Sequence, residues 1–175
     1  YQSFNAKEPT EYILYPYLLK EYRNRWFVFG CKAKDMLLYN LALDRIVSFE
    51  PIDLPFKQNS EFDVEHFFDD VIGVSKNLHN TPRTIKFWAS AEQSKYIKTK
   101  PLHTSQKLVK ENEDGSCVFK IEIVINFEMY SVFMSYGPGV RILSPRQAVS
   151  YMRDKTKEMA LLYEQDFSNH NETKK

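Results

Sequence analysis

Six residues, Arg25-Trp26-Phe27-Val28-Phe29-Gly30, constrain the fold more than any other stretch of this chain. Strand periodicity puts Arg25, Phe27 and Phe29 on one face and Trp26, Val28 and Gly30 on the other. A second extended piece, Leu43-Asp44-Arg45-Ile46, again sets an arginine beside residues that are normally buried. A guanidinium held next to exposed rings binds planar or phosphorylated anions through forked hydrogen bonds and stacking. The competing account is an ordinary amphipathic strand whose arginine snorkels over a core.

The neighbouring segments support a small β-rich unit. Tyr1–Asn5 and Glu11–Lys20 are expected as strands, with a polar turn at Glu21–Asn24 leading into Arg25–Lys32. A turn around Lys34-Asp35 opens a strand over Met36–Leu41, and Asp44–Pro51 is expected to continue extended. Five short strands with tight turns favour a small barrel over an open sheet. Phe62–Phe68 is expected to begin a helix, with Asp63 capping its free amides.

Ser75–Arg83, with Asn77, Asn80 and Pro82, is the expected boundary. The elements after it are a strand over Thr84–Ser90, a helix over Ala91–Lys98, and strands over Ser105–Asn112 and Cys117–Asn126 around the turn Asp114-Gly115. A helix over Phe127–Tyr136 is closed by Gly137, and Val140–Leu143 is a further strand. Ser144 is expected as the N-cap and Pro145 as the first residue of a last helix. That helix would carry Val149, Met152, Thr156, Met159 and Tyr163 as one stripe. The order β-α-β-β-α-β-α points to a ferredoxin-like unit, so the class is α+β. The domains are expected at 1–76 and 84–167, with a linker at 77–83 and a frayed tail at 168–175.

Thirteen Phe and eleven Tyr supply ample core material for 175 residues. The formal net charge of +1 argues against a simple polyanion binder, but it hides an asymmetry. Residues 1–80 carry nine basic and twelve acidic side chains, whereas 81–175 carry fifteen and eleven. Within 83–110, seven basic residues (Arg83, Lys86, Lys95, Lys98, Lys100, Lys107 and Lys110) face one acidic residue, Glu92. Such a field steers anions and weakens with salt. Scattered solvated lysines are the alternative. Cys31 and Cys117 sit far apart in strand-like runs and read as small buried hydrophobes, which suits a reducing cytoplasm. No apolar run is long enough for a membrane span, and no signal-peptide pattern is seen. The start at Tyr1 in mid-pattern suggests a piece of a longer protein.

The candidate pocket comprises Tyr15, Tyr17, Arg25, Trp26 and Arg45. Tyr15 and Tyr17 are two apart and share a strand face, and Asp44 is expected to hold Arg45 in place. Rings beside cations are how proteins hold unstacked bases. If the tyrosines are instead core residues, only their hydroxyls reach water. The set Asp63, His66, Asp69 and Asp70 lacks a convincing convergent donor trio, and the capping role explains Asp63 without a metal. His103 next to Thr104 and Ser105 has no third orienting residue, and no glycine-rich phosphate loop is present. No enzyme, metal or cofactor is therefore expected.

Three pieces in order, Tyr15-Pro16-Tyr17-Leu18-Leu19-Lys20-Glu21-Tyr22, Arg25-Trp26-Phe27-Val28 and Leu41-Ala42-Leu43-Asp44-Arg45-Ile46, resemble a WYL domain over roughly residues 1–80. The rest resembles the C-terminal extension that follows such domains. The family's tripeptide is Trp26-Phe27-Val28 here, and Tyr39 stands where an arginine is often found. The resemblance implies a small Sm-like β-barrel that forms the sensory part of a bacterial transcription regulator, with a ligand role for Arg45 and a neighbouring ring. Pro101-Leu102-His103-Thr104-Ser105-Gln106 resembles the stretch before the second strand of the extension. It implies a unit that dimerises and closes, through His103, over the ligand site of a neighbouring barrel. A plain loop is the alternative. The expected function is to bind single-stranded nucleic acid or a nucleotide and relay it to a DNA-binding winged helix-turn-helix before Tyr1. A homodimer is expected. The alternative is an accessory nucleic-acid-binding protein or a dimerisation module without a small ligand.

Overall fold

The computed structural model describes residues 1–58, 62–76 and 79–171, with side chains through Glu164. The architecture is α+β, with two antiparallel sheets, and the chain divides into two compact units. The first holds Tyr1–Asp69 and Gly73–Ser75, the second Asp70–Ile72 and Lys76 onward. Residues 77 and 78 of the expected linker and 172–175 of the expected tail lie outside the described residues.

In the first unit, β1 (Leu14–Tyr22), β2 (Arg25–Lys32) and β3 (Leu38–Ala42) form an antiparallel meander. The β1–β2 loop is two residues long, with Arg23 and Asn24 both at positive φ (51° and 61°), and it matches the twist of the hairpin. Asn24 N–H donates to Glu21 Oε1 at 2.8 Å. The register slips between Pro16 and Leu18, so Tyr17 is an extra residue bulged from β1. Gly30, opposite Pro16, allows this approach, because a Cβ there would stand 2.4 Å from the Tyr15 carbonyl oxygen. Phe29 packs with Phe62, Phe67 and Val74 as the core, and the rings of Phe29 and Phe68 meet edge-on at 5.1 Å.

Three expectations fail in this unit. Tyr1–Asn5 is not a strand; it starts a loop tied off by Thr10 N–H to Tyr1 O (2.9 Å) and Gln2 N–H to Arg45 O (3.1 Å). Asp44–Pro51 does not continue extended, since Leu43–Arg45 is a 3₁₀ turn and 46–58 has no regular structure. The sheet thus has three strands and does not close into a barrel among the described residues. Phe62–Phe68 is a series of turns rather than a helix. Phe67 and Phe68 both meet Phe29, at 6.0 and 5.1 Å, although successive helical residues point about 100° apart. Asp63 still accepts from the amides of Glu65 (3.1 Å) and His66 (3.3 Å).

The second unit comprises β4 (Arg83–Ala89), α1 (Ala91–Thr99), β5 (Lys107–Glu111), β6 (Cys117–Ile123), α2 (Phe127–Ser135), β7 (Val140–Ser144) and α3 (Arg146–Asn171). Its sheet runs β5-β6-β4-β7, each neighbour antiparallel. Alternation buries Ile85, Phe87 and Ala89 of β4 and Cys117, Phe119, Ile121 and Ile123 of β6 against Ile97, Met129, Phe133 and Ala148 of the helices. Phe87 stacks on Phe119 at 5.5 Å and meets Phe133 edge-on at 5.1 Å. Ser90 caps α1 through Gln93 N–H (3.3 Å), and Asn126 caps α2 through Met129 N–H (2.7 Å). The hairpin turn carries Gly115 at φ 80°, and Gly137 follows α2 at φ 54°.

α3 begins one residue later than expected: Val149 N–H reaches Pro145 O at 3.1 Å, which makes Pro145 the capping position. Tyr151 stacks on Tyr130 with ring centroids 3.9 Å apart and anchors the first turns of α3 to α2. Met159 and Tyr163 further along are exposed. Among the described residues, no helix is long and apolar enough to cross a membrane.

Candidate ligand-binding site

Arg45 ends the 3₁₀ turn after β3, and the loop from Tyr1 to Thr10 is pinned against it. Its guanidinium carbon lies 3.2 Å from the centroid of the Phe4 ring, an exposed aromatic. The Nε of Arg45 is buried and, among the described residues, has no hydrogen-bond partner. Beside it opens a hollow of about 420 Å³, lined by Gln2, Phe4, Asp44, Arg45, Ile46 and Val47 among others. A planar cation stacked on a ring beside such a hollow is suited to a flat or forked acceptor.

Asp44 does not hold Arg45, as the sequence suggested. Its Oδ2 pairs with Arg25 Nη2 at 3.2 Å, with both side chains about half exposed. Adjacency along the chain was the only signal for an Asp44–Arg45 pair. The 3₁₀ turn sends consecutive side chains in different directions and delivers the carboxylate to β2 instead. Arg25 and Arg45 therefore converge on one short turn, Arg25 through the carboxylate that lines the hollow.

The aromatic candidates divide. Trp26 is 52% exposed on the β2 face opposite Phe27, with Glu21 as its cross-strand partner. Tyr15 is buried, and Tyr15 and Tyr17 both meet Phe56 edge-on, at 6.2 and 5.7 Å. Tyr17 Oη donates to the Lys57 carbonyl at 2.9 Å, so its hydroxyl is engaged with the chain. Burial pushes the Tyr17 phenol above its ordinary pKa, with the Cys31 thiol adding to the shift. In these contacts the two tyrosines hold the irregular 52–58 segment against the sheet.

His103 belongs to the second unit, on the loop between α1 and β5. Its Nδ1 lies 2.8 Å from Ser105 Oγ, which in turn accepts from Glu122 N–H at 2.9 Å. Gln106 closes the same loop by donating to Ile97 O and accepting from Leu102 N–H, both at 2.9 Å. Asp63 and His66 pair at 2.8 Å, and Asp70 pairs with Lys76 at 2.7 Å. Both cysteines are buried, and among the described residues no disulfide joins them.

Phe4 was missed by sequence reasoning. Its one signal is a large ring among Gln2, Ser3 and Asn5, where the sequence suggested a strand.

The model of the WYL domain matches residues 1–51, and that of the WCX domain matches residues 81–160. Among solved structures, proteasome accessory factor B/C (PafBC) of Arthrobacter aurescens is similar at 14% identity, with a TM-score of 0.36. That likeness covers 79% of this chain and 21% of the other, so the chain spans about a fifth of that protein's length. No curated protein matches this chain.

Proposed function

We propose that this chain, a member of the WYL-domain family in which a WYL domain precedes a WCX domain, is the effector-sensing region of a bacterial transcription regulator. The effector is an anion, a nucleotide or single-stranded nucleic acid. It docks at Arg45, with Phe4 beside it and Arg25 reaching the same turn through Asp44. The observation that carries this reading is the Arg45 guanidinium stacked on an exposed ring at an open hollow. Ligand binding shifts the population of regulator conformations and so alters a DNA reader elsewhere in the protein. His103 remains part of the proposed response, as does a homodimer. The first-unit meander is read as part of an Sm-like barrel and the second unit as ferredoxin-like; the strand order β5-β6-β4-β7 supports the latter.

Titration of the chain with short labelled DNA, RNA and cyclic dinucleotides at low salt tests this function. Saturable binding that weakens about ten-fold or more in Arg45→Ala is expected, the loss of one charge-assisted bidentate contact. Absence of binding, or equal binding by Arg45→Ala, overturns the proposal.

A second reading, a dimerisation module without a small ligand, is favoured by one observation. Met159, Leu162 and Tyr163 are 42%, 64% and 66% exposed on α3, beyond its contact with α2. A monomeric mass in solution would exclude it.

A further inference from the structure

The helices of the second unit cover one face of its sheet and leave the other open. Cross-strand register places Lys107 opposite Lys120, and Lys120 opposite Lys86, so three lysines stand in one row across β5, β6 and β4. All three have the parity opposite to the buried Ile85, Phe119 and Ile121 and therefore share the open face. The next row on that face is Lys110, Val118, Trp88 and Arg141. The Arg141 guanidinium lies 5.9 Å from the Trp88 ring. Glu122 is the carboxylate of this face. Among the described residues, none of Lys86, Lys107, Lys110, Lys120 or Arg141 forms an ion pair, and Glu111 is committed to Lys98 on the helix side at 2.7 Å.

We propose that this open face is a second site, distinct from the Arg45 hollow, which binds the sugar-phosphate backbone of single-stranded nucleic acid. Neighbouring strands stand about 4.8 Å apart, so the lysine row presents three ammonium groups along about 10 Å. Lysines directly opposite one another repel, and a polyanion lying along the row relieves that repulsion. Trp88 beside Arg141 offers a ring edge and a cation to an unstacked base. A duplex fits less well. Four strands span about 14 Å between the outer chains before side chains are counted, too broad for a major groove about 12 Å wide. A single strand has no groove to enter and can lie flat across the sheet.

The test uses the full chain carrying Arg25→Ala and Arg45→Ala, so that binding at the hollow does not contribute. Fluorescence anisotropy with a labelled deoxythymidine strand of about 15 nucleotides is followed across salt concentrations. Into this background go Lys86→Gln, Lys107→Gln and Lys120→Gln together, with circular dichroism to establish that the triple variant is folded. The expected result is affinity weaker by about ten-fold or more at low salt, and a log–log salt slope shallower by about two, near 0.7 per lost phosphate contact. Addition of the strand is also expected to quench Trp88 emission when Trp26→Phe makes it the sole tryptophan. Should the triple variant misfold, the single Lys120→Gln variant must still show about one-third of the slope change. Unchanged affinity and slope overturn the proposal. So does equal binding to phosphatidylserine vesicles or to polyglutamate, which would make the face a membrane or acidic-protein surface. The Arg45 proposal is unaffected by any of these outcomes, because its own residues are already removed.

Discussion

Asp44 sets the electrostatic balance of the candidate hollow, because its one carboxylate pairs with Arg25 while the next residue in the chain is Arg45. An exposed pair of this kind contributes only about 0–1 kcal/mol to folding. Asp44→Asn is therefore expected to leave the melting temperature almost unchanged, while anion affinity rises several-fold as a repelling charge leaves and Arg25 is released. Calorimetric titration with a nucleotide ligand checks the direction, and weaker binding would mean that Asp44 itself contacts the ligand. A second residue-scale prediction concerns His66. Its hydrogen bond to Asp63 raises its pKa above 6.5, and Asp63 is held below 3.8 mainly by the same bond. The raised histidine contributes its stabilisation fully below its unfolded pKa and loses it as pH rises through the folded value. The depressed aspartate contributes above its unfolded pKa and loses it as pH falls through the folded one. The pair thus acts between those two folded values. An NMR titration of the His66 ring should place its midpoint above 6.5, and Asp63→Asn should bring it back down.

At the scale of elements, the lysine row gives a stability prediction opposite in sign to its binding prediction. Lys120 has a lysine on each side in register, and like charges directly opposite are destabilising. Lys120→Glu converts both contacts to attractive ones, so thermal unfolding of the second unit should shift upward by about 0.5–1 kcal/mol even as polyanion binding weakens. A lowered melting temperature would argue that the row is not crowded as the register implies. Elements of this sheet were legible because period-two burial of Ile85, Phe87, Cys117, Phe119 and Ile121 is a local pattern, and Asp114-Gly115 is a turn with its own backbone demand. The first unit was harder. Tyr17 bulges because Gly30 lets the backbones close, and a bulge leaves no trace in alternation. Phe62–Phe68 followed tertiary contacts with Phe29 over its apparent helical start. The arginines of the candidate site could be read from the sequence, but their partners could not. Phe4 and the Arg25–Asp44 pair are joined to the site by a long loop and a 3₁₀ turn that no period describes.

At the scale of the molecule, each unit has its own core, one centred on Phe29 and the other on Phe87 and Phe119. The chain's two tryptophans divide the same way, with Trp26 in the first unit and Trp88 in the second. Each can therefore serve as a reporter for one core. Phe87 is fully buried between Phe119 and Phe133, so Phe87→Ala should cost about 3–5 kcal/mol through lost transfer energy and the cavity left behind. If the units unfold as separate cooperative bodies, urea melts of the Trp26→Phe background should show that loss in full through Trp88. Melts of the Trp88→Phe background, read through Trp26, should keep their midpoint. Phe29→Ala should reverse the pattern, since Phe29 meets Phe67 and Phe68 in the other core. Equal shifts at both tryptophans would mean that the chain unfolds as one two-state body. The sensing proposal fits the first outcome: a first unit that responds to a ligand by itself must hold its own packing when the second unit's core is weakened.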